Sequence, residues 1–238
     1  VAGAEAAWQE LLEAASVAGD EEFVARANNN LGVVATLRAR WEEALAAYAR
    51  AMAAYRRLGQ RRGLAQAHQN LAITYREMGY AREADAHFRR AASYARAAGS
   101  EDVAGRAEEE RALLFCLRGD LRLAEVTARR ALERFRRLGD PAGEGESLRV
   151  LGIVALAAGR AAEARARLEE ALRLARRAGQ ALLEAETLEA LAAAARLEGD
   201  DGRAAALAGE AAGLFRRLGA ERRGEQVRAR LAGLVAAD

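Results

Sequence analysis

The chain contains four asparagines, whose side-chain amides can both donate and accept hydrogen bonds. Three are consecutive, Asn28, Asn29 and Asn30, and the fourth is Asn70. Asn30 and Asn70 each stand directly before a leucine and occupy equivalent positions of an internal repeat. An asparagine at a repeated position therefore offers a donor and an acceptor at a fixed spacing. Their recurrence in one register favours a shared binding role for Asn30 and Asn70.

The other residues of catalytic or metal-binding type show no spacing typical of a site. His68 and His87 are not spaced as metal ligands relative to each other or to the single cysteine, Cys116, so we interpret all three as packed or surface residues. The acidic run 108–110 points its carboxylates in different directions on a helix, which excludes an acid/base pair there. We therefore expect no enzyme activity and no bound cofactor or metal ion.

Arginine is the basic residue throughout this chain, and paired arginines recur in one register at 56–57, 136–137, 176–177 and 216–217. Such a ridge suggests nucleic-acid binding as one alternative, because arginine pairs with phosphates and stacks on bases. However, each pair falls in the last turn of a predicted helix, where the helix dipole favours cations. Glutamates are abundant, no aromatic residues are interleaved, and the net charge is only +2. We favour the structural interpretation of the ridge.

A 40-residue repeat carries all of these residues. Leu-Gly or Leu-Ala pairs keep this period and begin at Leu31, Leu71, Leu151, Leu191 and Leu231. Glycines that close the repeats lie at Gly59, Gly99, Gly139, Gly179 and Gly219, and glycines that divide them lie at Gly79, Gly119, Gly159 and Gly199. Between the glycines, apolar residues recur at helical spacing without strand alternation, so each repeat is predicted to be a pair of helices.

The predicted helix ends follow from residue types. Glycine after an arginine-rich turn is typical of a helix C-terminus, and we expect Asp120, Asp140 and Asp200 to be N-caps, with Pro141 at the first position of its helix. The predicted helices are 4–18, 21–38, 41–58, 61–78, 81–98, 101–118, 121–138, 141–158, 161–178, 181–198, 201–218 and 221–235.

The expected fold is all-α, a right-handed superhelical solenoid of antiparallel helix pairs with about 12 helices. We expect a single domain over 1–238. Its predicted parts are a half repeat at 1–20, repeats at 21–60, 61–100, 101–140, 141–180 and 181–220, and a capping helix at 221–238.

The second repeat resembles the tetratricopeptide (TPR) signature. It reads His68-x-x-Leu71-Ala72-x-x-Tyr75, then Gly79, then Ala84-x-x-x-Phe88-x-x-Ala91. Its 40-residue length is similar to the longer repeats of kinesin light chains and of bacterial TPR regulators. Where the signature begins with Trp, the five repeats have Asn28, His68, Glu108, Leu148 and Leu188.

The TPR resemblance implies that the first helix of each pair lines a concave groove that binds a peptide. We interpret Asn28 as a solvated first-turn residue, and we expect the apolar groove residues to receive side chains and the amides to bind backbone. The predicted groove residues are Arg26, Asn29, Asn30, Val33, Gln66, Gln69, Asn70, Ile73, Arg76, Arg106, Glu109, Leu113, Arg149, Ile153, Leu156 and Glu189.

The predicted function is a non-catalytic scaffold that binds a protein or peptide partner in this groove. Two alternatives remain open. The chain could be the ligand- or signal-peptide-sensing domain of a larger bacterial regulator, or it could bind nucleic acid through the arginine ridge. The sequence shows no membrane-spanning run and no signal peptide, which favours a cytoplasmic protein.

The predicted N-terminal half repeat lacks a first helix to cover its apolar residues. Trp8 stands one full period before Tyr48, so residues 4–18 correspond to the second helix of a repeat. We expect either further chain upstream of Val1 or association at this end, including self-association, because exposed apolar surface usually marks a contact.

Overall fold

We describe the fold from a computed structural model in which residues 2–220, 223–227 and 229 are described, with side chains from Glu5 onward. Within these residues there are eleven complete α-helices and no strand, which confirms the all-helical prediction. The helices are α1 (Ala2–Ala18), α2 (Glu21–Leu37), α3 (Trp41–Arg57), α4 (Arg61–Glu77), α5 (Ala81–Ala97), α6 (Glu101–Leu117), α7 (Leu121–Leu138), α8 (Pro141–Ala157), α9 (Ala161–Arg177), α10 (Ala181–Leu197) and α11 (Asp201–Arg217).

The predicted capping helix falls largely outside the described residues. Residues 223–227 are helical. Residues 221, 222, 228 and 230–238 of the predicted cap lie outside the described part of the chain.

The helix ends show how the 40-residue period becomes a series of hairpins. Each helix pair is joined by a short turn that needs a left-handed residue, as at Gly79 with φ of 85°. Glycine accepts this conformation without a steric penalty. Ala39 takes the corresponding place in the first repeat with φ of 55°, and it is the one non-glycine residue with positive φ in the described chain.

The N-caps agree only partly with prediction. The Asp140 carboxylate accepts hydrogen bonds from the backbone N–H groups of Ala142 and Gly143 at 3.0 and 3.1 Å. Asp200 caps α11 by accepting from the backbone N–H of Arg203 at 2.9 Å. Asp120 was expected to cap α7, but its side chain makes no capping hydrogen bond and lies 3.3 Å from the Arg118 guanidinium. The neighbouring arginine thus competes with the helix N-terminus for this carboxylate.

Small residues allow the two helices of a pair to approach closely. A Cβ added to Gly32 would lie 2.6 Å from Cε1 of Tyr48, and one added to Gly152 would lie 2.5 Å from Cγ of Leu168. Each second helix has an alanine at the same repeat position, and this alanine is buried in every repeat, as expected for close packing. These residues are Ala44, Ala84, Ala124, Ala164 and Ala204.

Contacts between residues divide the chain into two compact units, residues 1–114 (unit 1) and 115–238 (unit 2). In unit 1, the largest apolar cluster surrounds Tyr48 and Tyr55. In unit 2, a cluster surrounds Leu188 and Phe215. In each unit, adjacent hairpins share these clusters, because a single hairpin cannot bury its apolar face alone.

Helix α1 is only partly covered. Among its described side chains Ala15 alone is buried, whereas Trp8, Leu11 and Leu12 are half-buried. The Glu5 carboxylate pairs with Arg38 and Arg40, which connects α1 to the turn between α2 and α3. Association through this end stays a prediction.

Among the described helices, none combines the length and the apolar composition that crossing a bilayer requires.

Candidate functional site

The first helices of unit 1 are hydrogen-bonded directly to each other. Thr36 Oγ1 on α2 lies 2.8 Å from Thr74 Oγ1 on α4. The Asn70 Nδ2 group donates to Asn29 Oδ1 at 3.3 Å. Thr74 is fully buried, so this contact fixes the spacing of α2 and α4 where their side chains meet.

The three consecutive asparagines have three different environments. Asn28 is 3% exposed, donates to the Val24 carbonyl at 2.9 Å and accepts from Arg50 Nε at 2.8 Å. Its interpretation as a solvated residue was wrong, because this position of α2 faces α3. Asn29 is 8% exposed and accepts from the next repeat. Asn30 is half-buried, and no described residue hydrogen-bonds to its amide.

The predicted groove residues of unit 1 lie on one side of the first helices, which we call the unit 1 face. Within it, Arg26, Gln66 and Arg106 are exposed, Asn29 and Glu109 are buried, and Asn30, Val33, Gln69, Asn70, Ile73, Arg76 and Leu113 are half-buried. Ile73 packs on the cluster around Phe88 and Leu114, so the apolar members of the face are continuous with the core.

The guanidinium of Arg76, at the end of α4, is paired with two carboxylates. Arg76 Nη1 lies 2.5 Å from the Glu110 carboxylate, and Arg76 Nη2 lies 3.1 Å from that of Glu77. The unit 1 face therefore combines amides and apolar groups with a paired arginine, an arrangement suited to neutral backbone rather than to a strong anion.

Unit 2 has a face of different chemistry at the corresponding positions, the unit 2 face. Arg149 Nε donates to Glu146 at 3.1 Å, and Arg149 Nη2 lies 3.4 Å from Glu186. Arg223 continues the network to Glu186 at 2.7 Å and to Glu189 at 3.6 Å. The apolar members Ile153 and Leu156 are half-buried against the Leu168 and Leu191 cluster. Ion pairs thus replace amides in this unit.

The two histidines, which were predicted to be packed or surface residues without a shared site, are directly paired. His68 Nδ1 on α4 lies 2.9 Å from His87 Nδ1 on α5. His68 is 3% exposed and stacks on Tyr94 with ring centroids 5.4 Å apart. Burial, together with the nearby His87 and two arginines, lowers the pKa of His68 to about 4. Burial also lowers the pKa of His87.

Asn28 and His68 share a rule that sequence reasoning missed. Both stand where the TPR signature begins, a position that is buried in all five repeats. In unit 1 the polar residue there has a polar partner, and the third example is Glu108, 3.7 Å from Arg96. In unit 2 the position holds Leu148 and Leu188. The shared repeat position of these polar residues could have indicated their partners, because a polar residue at a buried position requires a hydrogen-bonding partner.

Two arginines of the ridge pair with glutamates of the helix that follows. In unit 2, Arg136 Nε donates to Glu144 at 2.8 Å, and Arg176 Nε donates to Glu184 at the same distance. The Arg176 guanidinium also lies 2.6 Å from Glu210. These pairs recur with the 40-residue period, so this part of the ridge ties adjacent helices together.

Metal-binding or thiol chemistry finds no support in the described residues. They contain no group of three or more His, Cys, Asp or Glu side chains that could hold a metal ion. Burial raises the pKa of the Cys116 thiol, which disfavours the reactive thiolate.

Comparison with solved structures shows the same fold. The chain is similar to BtubC (BKLC) from P. vanneervenii, with a TM-score of 0.71 and 20% identity over 97% of this chain and 91% of that one. It is similar to a STAND signal transduction ATPase with a tetratricopeptide repeat sensor from Pyrococcus horikoshii, with a TM-score of 0.69 and 21% identity over 93% of this chain and 33% of that one. A putative kinesin light chain protein from Podosopora anserina gives a TM-score of 0.60 and 15% identity over 81% of this chain and 95% of that one.

Comparison of sequences identifies the family. No curated protein sequence matches the chain significantly. The profile of the tetratricopeptide repeat matches residues 23–97 and 104–177, which is more than half of the chain. With its helix pairs, its 40-residue period and these matches, the chain belongs to the tetratricopeptide repeat family.

Proposed function

We propose that the chain is a non-catalytic scaffold and that its unit 1 face binds an extended peptide segment of a partner protein. The observation that supports this most strongly is Asn30, whose half-buried amide hydrogen-bonds to no described residue. Val33 follows it on the next turn of α2 and is half-buried. The same pair of residue types recurs on α4 as Asn70 and Ile73.

This arrangement matches the two requirements of peptide recognition. Amides pair with the backbone of any sequence, whereas apolar sites select side chains at alternate positions. Tetratricopeptide repeats generally bind protein partners, which is consistent with this use of the face.

The test begins with peptides selected by the intact chain from a displayed random library, whose affinities are then measured by calorimetry. We expect Asn30→Ala to weaken binding about 2- to 10-fold, the effect of one lost hydrogen bond of roughly 0.5–1.5 kcal/mol. Ser93→Ala is the matched control, because Ser93 is an exposed polar residue on α5, outside the face.

Any of three outcomes would contradict the proposal. Selected peptides could bind the wild type and Asn30→Ala equally, or the library could yield no binder while circular dichroism shows the chain to be folded. Equal weakening by Ser93→Ala would likewise place the peptide elsewhere on unit 1.

A second candidate is a sensor domain within a longer regulator. The supporting observation is that the chain aligns along 93% of its length with about a third of a STAND protein that contains a tetratricopeptide repeat sensor. The reading frame surrounding the coding sequence decides this point, since a regulator of that kind would encode an ATPase or DNA-binding domain next to these repeats.

A further inference from the structure

The His68–His87 contact joins the two helices of one hairpin inside unit 1. At 2.9 Å between the Nδ1 atoms, it has the geometry of a hydrogen bond. Such a bond needs one Nδ1 that carries a proton and one that does not, so at least one ring must be neutral. His68 is almost fully buried, and His87 lies 5.4 Å from the Tyr75 ring, centroid to centroid.

The surroundings of the pair oppose a positive charge. The charged groups that act on His68 are His87 and Arg90 from α5 and Arg56 from the last turn of α3. Arg90 also acts on His87. None of these groups is a carboxylate that could compensate an imidazolium.

The other elements beside the pair add aromatic and apolar groups. Tyr94 of α5 stacks on His68, and Tyr75 of α4 contacts both His87 and Tyr80. Helix α6 places Val103 next to Tyr94. The carboxylate of α6 in this register, Glu108, lies 3.7 Å from the Arg96 guanidinium.

We propose that the His68–His87 hydrogen bond is an acid-sensitive lock that holds α4 against α5 at neutral pH and releases this hairpin as the solution becomes acidic. A first added proton places a charge in a buried site that already faces two arginines. A second added proton makes both Nδ1 atoms donors, so the hydrogen bond between His68 and His87 breaks. The inference does not depend on the proposed peptide binding.

The direction of the effect follows from linkage. In the unfolded chain a histidine has a pKa of about 6.5, whereas in the fold the pKa of His68 falls to about 4. Between these values the opened hairpin binds more protons than the closed one, so stability falls as the pH falls from about 6.5 to about 4. For His68 alone, the opening equilibrium constant rises about 10- to 30-fold between pH 7.5 and pH 5.

The fifth repeat supplies an internal control. The residues that correspond to His68 and His87 there are Leu188 and Leu207, and both belong to the apolar cluster of α10 and α11. The variant H68L/H87L gives the second repeat the same pair. It removes both titrating groups and makes both positions apolar.

The experiment is native-state hydrogen exchange of the full chain at pH 7.5 and pH 5, corrected for intrinsic exchange rates. We expect protection of α4 and α5 amides to fall about 10- to 30-fold more than that of α10 and α11, and H68L/H87L to lose this difference. Parallel losses in the two hairpins, or the same loss in wild type and variant, would overturn the proposal.

A second measurement uses the unmodified chain and so does not depend on whether the variant folds. Nitrogen-15 spectra of the imidazole rings report which ring nitrogens carry protons across the pH range. At neutral pH we expect one Nδ1 that carries a proton and one that does not. We expect His68 to remain a neutral imidazole, and not to become an imidazolium, above about pH 5. A His68 ring that titrates near 6.5, or two rings with bare Nδ1 atoms, would overturn the lock.

Discussion

The Tyr48 ring lies so close to the backbone of Gly32 that a methyl group at residue 32 would be 2.6 Å from Tyr48 Cε1. Because the Tyr48 ring is fully buried, it has no space to move away. We expect Gly32→Ala to destabilise the fold by about 1–3 kcal/mol through overpacking, measured by urea titration. Gly209→Ala is the control, since a Cβ there meets nothing within 4 Å, and it should stabilise α11 by about 0.5–1 kcal/mol. A tolerated Gly32→Ala would contradict the close approach of α2 and α3.

Asn30 and Asn70, two of the three asparagines of the unit 1 face, are expected to contribute differently to the stability of the fold. Asn70→Ala leaves the buried Asn29 Oδ1 without its donor, so it should cost about 1 kcal/mol in a urea titration. Asn30→Ala removes no hydrogen bond to a described residue and should leave the unfolding midpoint nearly unchanged. Equal midpoints for the two variants would show that the bond between α2 and α4 adds nothing to stability.

Ala39 carries a strain that can be removed. Its φ of 55° is left-handed, a conformation that costs a residue with a Cβ roughly 1–2 kcal/mol. We expect Ala39→Gly to raise stability by about 0.5–1 kcal/mol, since glycine's greater freedom in the unfolded chain offsets part of the gain. The reverse change at the equivalent turn, Gly79→Ala, should destabilise, and thermal melts of both variants make the comparison. The idea fails if the two changes shift the melting temperature in the same direction.

Ala84 tests the packing of the second helices. It is fully buried against Ala72, Phe88 and Leu114, so Ala84→Leu should cost about 1–3 kcal/mol. Ala46→Leu makes the same change at an exposed position of α3 and should be nearly neutral. Chemical denaturation of the two variants gives the comparison, and similar midpoints would refute the inferred constraint.

The repeat and its helices could be predicted because they depend on local rules. Glycine at the left-handed turn, proline at the first helical position and apolar spacing of three and four each act within a few residues, and α8 begins at Pro141 as expected. The N-cap prediction for Asp120 was wrong, because its carboxylate pairs with Arg118 instead of the N-terminus of α7. Which of the two it binds depends on side-chain conformations, and a sequence pattern does not specify these.

The details of the candidate site could not be predicted in the same way. The sequence identified Asn29, Asn30 and Asn70 as a group, yet the first and last bond to each other while the second hydrogen-bonds to no described residue. The outcome depends on the distance between α2 and α4, which packing determines. The His68–His87 pair was missed for a related reason, because the two positions have no fixed separation in sequence that marks them as partners.

The polar pairs inside the hairpins limit how this gene can recombine. Suppose that recombination fused the first helix of the second repeat, α4, to the second helix of the first repeat, α3. His68 would then lie opposite Ala47 instead of His87, and its buried imidazole would lose its hydrogen bond. A crossover between the fourth and fifth repeats keeps a leucine at that position, since Leu148 and Leu188 are equivalent. Duplication and loss of repeats should therefore be tolerated in the C-terminal part of the array and selected against near the histidines.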